Sequence, residues 1–166
     1  MTTFTITRIF KAPRPLVFEC WTDAKHISNW LAPAGAKNEM ISSDIRPGGF
    51  NHACITMPDG TMLYGKNTFK EISPVERLVY ISAFADADAN LIHHPMAPDW
   101  PLELLTTVLF KELGDQTELT LTWVPVDASE TEKACFEQGL ESCKAGWGGT
   151  FDSLDRYLRN AVGGEL

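Results

Sequence analysis

The stretch "SETEKACFEQGLESCKAGWGGTFDSLDRYL", residues 129–158, decides how this chain folds. Ser129, followed three residues later by Glu132, forms a capping box that starts a helix. From there Phe136, Leu140, Cys143, Trp147, Phe151, Leu154 and Leu158 recur at spacings of 4, 3, 4, 4, 3 and 4. That period sets them on one stripe of a helix of about eight turns. Asp152 with Arg156, and Asp155 with Arg159, lie one turn apart and pair on the opposite side. Gly139, Gly146, Gly148 and Gly149 each cost about 1 kcal/mol against alanine. Together they predict a bend, or a close approach to a neighbour, near Trp147. A stripe this long needs one broad apolar surface against it.

The preceding residues supply that surface. "FTITRIF", residues 4–10, places Phe4, Ile6, Arg8 and Phe10 on one face of a first strand. "APRPLVFECW" follows, with prolines where a first helical turn tolerates them and Val17, Cys20 and Trp21 on a shared face. "TDAKHISNWL" restarts with Asp23 as N-cap of a second short helix. Strand-like segments then occupy 37–46, 49–57, 61–72, 77–85, 103–113 and 116–124. The turns "RPGG", "MPDG", "SPVE" and "LGDQ" separate them and imply an antiparallel meander. In "ELTLTW", Leu119, Leu121 and Trp123 face one way and Thr120 and Thr122 the other. The order is strand, two short helices, six strands and a long helix. Residues 1–166 read as one domain of the α+β class.

The glycine pair in "SSDIRPGGFNHA", residues 42–53, invites a phosphate-loop reading. A phosphate loop leads into a helix N-terminus, where free N–H groups converge. Here the glycines lead into an alternating strand, and no Gly-Lys-Ser/Thr follows. Pro47 fixes φ and Gly48 or Gly49 supplies a positive φ, so the segment is a turn.

At this point the residues carry a family resemblance. "RIFKAPRPLVFECWTD" (8–23), "WLAP" (30–33), "DIRPGG" (44–49), "PDG" (58–60), "PVERLVY" (74–80) and "GWGGTFDSLDRYL" (146–158) occur in this order. The chain resembles the START-like (SRPBCC) superfamily, in the AHSA-like branch of homologues of the heat-shock-protein ATPase activator. The resemblance implies a helix-grip fold. In it a curved antiparallel sheet of about six or seven strands wraps around the long C-terminal helix, with a cavity between them and two short helices after strand one. Many members of this shape bind small molecules. Chaperone activation belongs to longer relatives with a further domain, which this chain is too short to contain. The chain departs from the pattern in having Trp30 followed by Leu31, where two aromatics are usual. It departs again in the long connection "ADADANLIHHPMAPDWP", residues 85–101.

Composition narrows the partners. A net charge of -8 without a lysine or arginine cluster argues against nucleic acid and anionic membrane. No run approaches the roughly 20 apolar residues that span a bilayer, so membrane insertion is not expected. Cys20, Cys54, Cys135 and Cys143 lack CxxC or zinc-ligand spacing, and fit free thiols in a reducing cytoplasm. No metal, cofactor or catalytic nucleophile is indicated. A homodimer is compatible with the sequence but nothing specifies one.

The candidate ligand-binding residues are His52, Trp30, Tyr64, Phe84, Trp100, Trp123, Phe136 and Trp147. His52 alternates with Phe50 and Cys54, which reads as an inward face and would aim a polar group into an apolar pocket. The aromatics would line the cavity, with Trp147 and Phe151 more in keeping with core and Trp100 as a lid. His93 and His94 are adjacent and point to opposite faces of an extended segment. Either would need Asp86, Asp88, Asp99 or His52 to complete a metal site. The expected function is cytosolic binding of a small hydrophobic or amphipathic molecule between sheet and helix. The alternatives are a polyketide cyclase- or hydratase-like enzyme using a pocket histidine, and a co-chaperone or regulatory interaction module.

Overall fold

In the computed structural model, which describes residues 2–33 and 35–162, the chain runs from a strand through two helices and six strands to a helical C-terminal segment. The single-domain span 1–166 extends outside the described residues. The elements are β1 (Phe4–Phe10), α1 (Arg14–Thr22), α2 (Ala24–Trp30), β2 (Lys37–Ser43), β3 (Phe50–Thr56) and β4 (Met62–Ser73). They continue as β5 (Arg77–Ala85), β6 (Leu104–Leu113), β7 (Gln116–Pro125), α3 (Glu130–Gln138) and α4 (Leu140–Val162).

The strands make one antiparallel sheet in the order β1-β7-β6-β5-β4-β3-β2. Strands β2 to β7 form the expected meander, and β1 returns to pair with β7, Phe4 opposite Trp123 and Phe10 opposite Thr117. Register shifts at Ile41 and Lys70 mark bulges in β2 and β4, each of which bends its strand. The "RPGG" segment is a turn. Gly48 has φ +88, and a Cβ on Gly49 would stand 2.2 Å from the Asp44 carbonyl oxygen. Arg46 pairs with the Asp44 carboxylate at 3.0 Å within the same turn.

The inner face of the sheet carries Phe4, Phe10, Leu119, Leu121, Val108, Phe110, Leu78 and Phe69, all buried. Against them α4 lays Phe151, Leu154 and Leu158, at most 2% exposed. Helix α1 packs on β6 and β7, and α2 on β2 and α4. A sheet gripping one long helix is the helix-grip arrangement.

The helix differs from the sequence reading in one respect. It breaks at Gly139, and α4 then runs uninterrupted through Trp147. Gly139 caps α3, and a Cβ there would lie 2.9 Å from Cζ3 of Trp100. The close approach therefore belongs to Gly139. A Cβ on Gly146, Gly148 or Gly149 would meet nothing within 4 Å, so none of these three is required by a close neighbour.

Candidate functional site

Packing between sheet and helix is incomplete, and three contiguous spaces remain. An inner lobe of about 230 Å³ lies between α2, α4 and the inner face of β2 to β5. An outer cleft of about 700 Å³ opens between α3, α4 and the 94–100 segment. A side lobe of about 340 Å³ continues over β3 to β6. Trp147 and Thr150 border both inner lobe and outer cleft, while Phe84, Trp100 and Trp123 border both outer cleft and side lobe. The outer cleft and the side lobe each fall within the range of about 300–1,000 Å³ of small-molecule sites.

The walls are aromatic because α4 and the sheet face each other with rings. Trp147 stacks on Trp21 at 6.1 Å and meets Trp123 edge-on at 5.7 Å. Trp21 lies 4.8 Å from Trp30, whose indole N–H donates to the Cys20 carbonyl at 2.9 Å. Trp100 rests on Phe136 at 5.4 Å and over Gly139, and so covers the outer cleft.

Among the residues expected to bind a ligand, Trp30, Tyr64, Phe84, Trp100, Trp123 and Trp147 line these spaces. Two expectations, Phe136 and His52, need correction. Phe136 is fully buried beneath Trp100 and belongs to the core. Tyr64 borders the side lobe, with its ring 5.8 Å from that of His52. His52 itself faces away from the cavity. Asn51, Ala53 and Ile55 are the inward residues of β3, because Asn51 pairs with Asn67 and His52 with Lys66. A shift of one residue in parity exchanges the two faces of a strand. His52 is nevertheless 3% exposed, since residues 86–91 fold over the outer face. Its Nε2–H donates to the Asp86 carbonyl at 2.9 Å.

The long 85–101 connection therefore does two things. Its first half covers His52; its second half forms the rim of the cleft. His94, half-buried, lies 4.5 Å from Phe84, and its Nδ1 accepts the Met96 N–H at 3.0 Å. Burial holds its pKa below the ordinary histidine value. His93 is exposed. Among the described residues the one three-ligand cluster is Glu19, Asp23 and His26, away from both loop histidines. There Asp23 caps α2 and His26 Nδ1 lies 2.6 Å from the Tyr157 hydroxyl, which fixes α2 to α4.

Sequence reasoning missed the polar residues of the inner lobe. Asn51, Asn67 and Ser82 sit side by side across β3, β4 and β5, and Asn38 lies beyond on β2. The available signal was the strand pairing: once Phe69 is inward, Asn67 must be too, and Asn51 opposite it. Buried N or O atoms without a partner include Trp21 Nε1, Trp123 Nε1 and Asn38 Oδ1.

The sequence profile of the family described as "Activator of Hsp90 ATPase homolog 1-like protein" matches residues 11–159. No curated protein matches the chain. Among solved structures, an X-ray structure of a protein from Chromobacterium violaceum is 21% identical, with 95% of this chain and 98% of that chain covered and a TM-score of 0.72. A solution structure of a protein from Arthrobacter aurescens is 22% identical, with 95% and 86% covered and a TM-score of 0.79. A crystal structure of a protein from Mycobacterium smegmatis is 22% identical, with 94% and 90% covered and a TM-score of 0.76. At these identities the likeness shows a shared fold.

Proposed function

Since the chain belongs to the family of activator of Hsp90 ATPase homologue 1-like proteins, we propose that it works as a binding member of that family and holds a small hydrophobic or amphipathic molecule between sheet and long helix. The observation that carries this reading is the unfilled aromatic space beside Trp147. Protein interiors are close-packed and leave few voids larger than a water molecule. Here Gly146, without a side chain, lines a cleft of about 700 Å³ that Trp100, Trp123 and Trp147 wall with apolar surface. Trp30, Phe84, Trp100, Trp123 and Trp147 are the proposed contact residues.

The geometry gives less support to the alternatives. An acid–base role for His52 would need a substrate beneath the 86–91 segment, whereas His94 is the histidine that borders the cleft. A surface docking role would call for a contiguous apolar patch. The exposed large apolar side chains Ile9, Ile41, Met62, Leu91, Met96 and Leu109 are instead dispersed over four strands and the connection. No helix among the described residues is long and apolar enough to cross a membrane.

Native mass spectrometry of the purified protein, compared with its denatured mass, tests the reading. A bound small molecule is expected, and Gly146→Phe, which fills the outer cleft, should release it while far-UV circular dichroism stays unchanged. Retention of the molecule by the filled variant would overturn the site assignment.

A further inference from the structure

Resting on the binding role above, the chemistry of the occupant can be narrowed. Formal charge is missing from the three lobes of the cavity and begins in an adjoining cleft of about 420 Å³, which shares Trp30 and Asn38 with the inner lobe and carries Lys37, Glu39 and Arg156. Among the described residues, no Asp, Glu, Lys or Arg lines any of the three lobes. The chain as a whole has 22 acidic and 14 basic residues. Three titratable side chains at the cavity are also pushed toward their neutral forms. Burial pushes the Tyr80 hydroxyl well up and the Cys143 thiol up to about 11, and keeps His94 below its ordinary value. An ion entering this space would give up its hydration and find no counter-charge.

Polarity in the cavity is neutral, and it gathers at the inner lobe. The Ser43 hydroxyl donates to Asn51 Oδ1 at 2.6 Å, and the Ser82 and Thr106 hydroxyls lie 3.0 Å apart. Both ends of the polar row are thus tied to the protein. Asn67, between them, makes no side-chain hydrogen bond among the described residues. Two further groups of the same lobe are buried without a partner: the Trp21 indole N–H, on a residue 3% exposed, and the Asn38 carbonyl oxygen. Buried polar groups are nearly always satisfied, so the free Asn67 amide calls for a ligand with a matching group, and a small turn of Trp21 or Asn38 toward that head brings the orphan donor or acceptor, now closed off from the lobe, into its reach.

We propose that the occupant is an uncharged molecule with an apolar body and a neutral hydrogen-bonding head, such as a hydroxyl, carbonyl or carboxamide. The head seats in the inner lobe against Asn67, Asn38 and Trp21. The body lies in the outer cleft between Trp100, Trp123 and Trp147.

Three probes of one shape separate the possibilities: 2-naphthamide, its anionic isostere 2-naphthoate, and the apolar 2-isopropylnaphthalene. Each is titrated into ¹⁵N-labelled protein while the indole N–H resonances of the 5 tryptophans are followed. The amide is expected to bind about tenfold or more tightly than the carboxylate. It should also move the Trp21 indole proton downfield, which the apolar probe should not. In Asn67→Leu the amide affinity should fall to that of the apolar probe, which itself stays unchanged. If that variant fails to fold, the wild-type comparison decides. Carboxylate binding as tight as the amide overturns this inference but leaves the binding role standing. Equal shifts of Trp21 with all three probes overturn the placement of the head. No indole response to any probe overturns both readings.

Discussion

At the rim of the cleft, one proton decides the state of His94. Its Nδ1 accepts the Met96 N–H, which requires the neutral ring with the proton on Nε2. Burial disfavours the charged form and lowers the pKa from 6.5. In the unfolded chain the ring therefore takes up a proton at a higher pH than in the folded one. Well above pH 6.5 both states are neutral and stability is unaffected. As pH falls below that value the unfolded state gains, and the loss levels off once pH is below the folded pKa. The melting temperature should accordingly drop between pH 7 and 5 more in the wild type than in His94→Gln, measured by calorimetry at matched ionic strength. Parallel curves would show that the ring does not titrate differently in the fold. The cysteines offer a second residue-level outcome. Burial, with Glu19 and Asp23 adding to it, pushes the Cys20 thiol up to about 12, and burial takes Cys143 up to about 11. Both remain thiols at pH 8, and thiols are poor nucleophiles. Cys135 is only half-buried and borders the cleft. Iodoacetamide should modify Cys135 first, as peptide mapping will show, and a cleft occupant should slow that reaction.

Among the elements, the C-terminal helices are the most legible in sequence and also carry the clearest correction. The capping box is present: Ser129 Oγ accepts the Glu132 N–H at 3.1 Å and the Glu132 carboxylate accepts the Ser129 N–H at 3.0 Å. Ser129→Ala should cost about 1 kcal/mol by urea denaturation. The glycines should divide into two classes. Gly148→Ala and Gly149→Ala place a methyl in open space and should stabilise by up to about 1 kcal/mol each. Gly139→Ala drives a methyl against the Trp100 ring and should destabilise by about 1–3 kcal/mol. The apolar stripe could be read because helical period is a local property of the chain. The break at Gly139 could not, because its cause is a tryptophan from a distant connection. The same limit explains the reversed reading of β3. Phe50, His52 and Cys54 alternate with Asn51, Ala53 and Ile55, and both sets mix polar with apolar. Only the pairing with β4, and the 86–91 segment that buries the outer face, break the tie.

For the whole molecule, the cavity was legible only through its walls. Tryptophans could be nominated as lining from their chemistry, and six nominated aromatics do border the space. Its volume depends on what fails to fill it, and no single residue type signals that. Nor does sequence reveal that the lining excludes charge, because the chain around it is strongly acidic. A net charge of -8 sits on the outside, while the cavity surfaces are aromatic, aliphatic, amide and hydroxyl. This separation has a consequence for binding thermodynamics. Salt screens interactions among exposed charges, with a Debye length of about 10 Å at 0.1 M. An uncharged occupant in a charge-free cavity makes no contact that salt can screen. The dissociation constant of 2-naphthamide should therefore change by less than about twofold between roughly 20 and 500 mM sodium chloride. A cation held by the acidic exterior would behave differently, losing affinity steeply over the same range. A tenfold loss for the amide would place it on the charged surface, and the aromatic cleft would then have to be read as packing that the fold leaves incomplete.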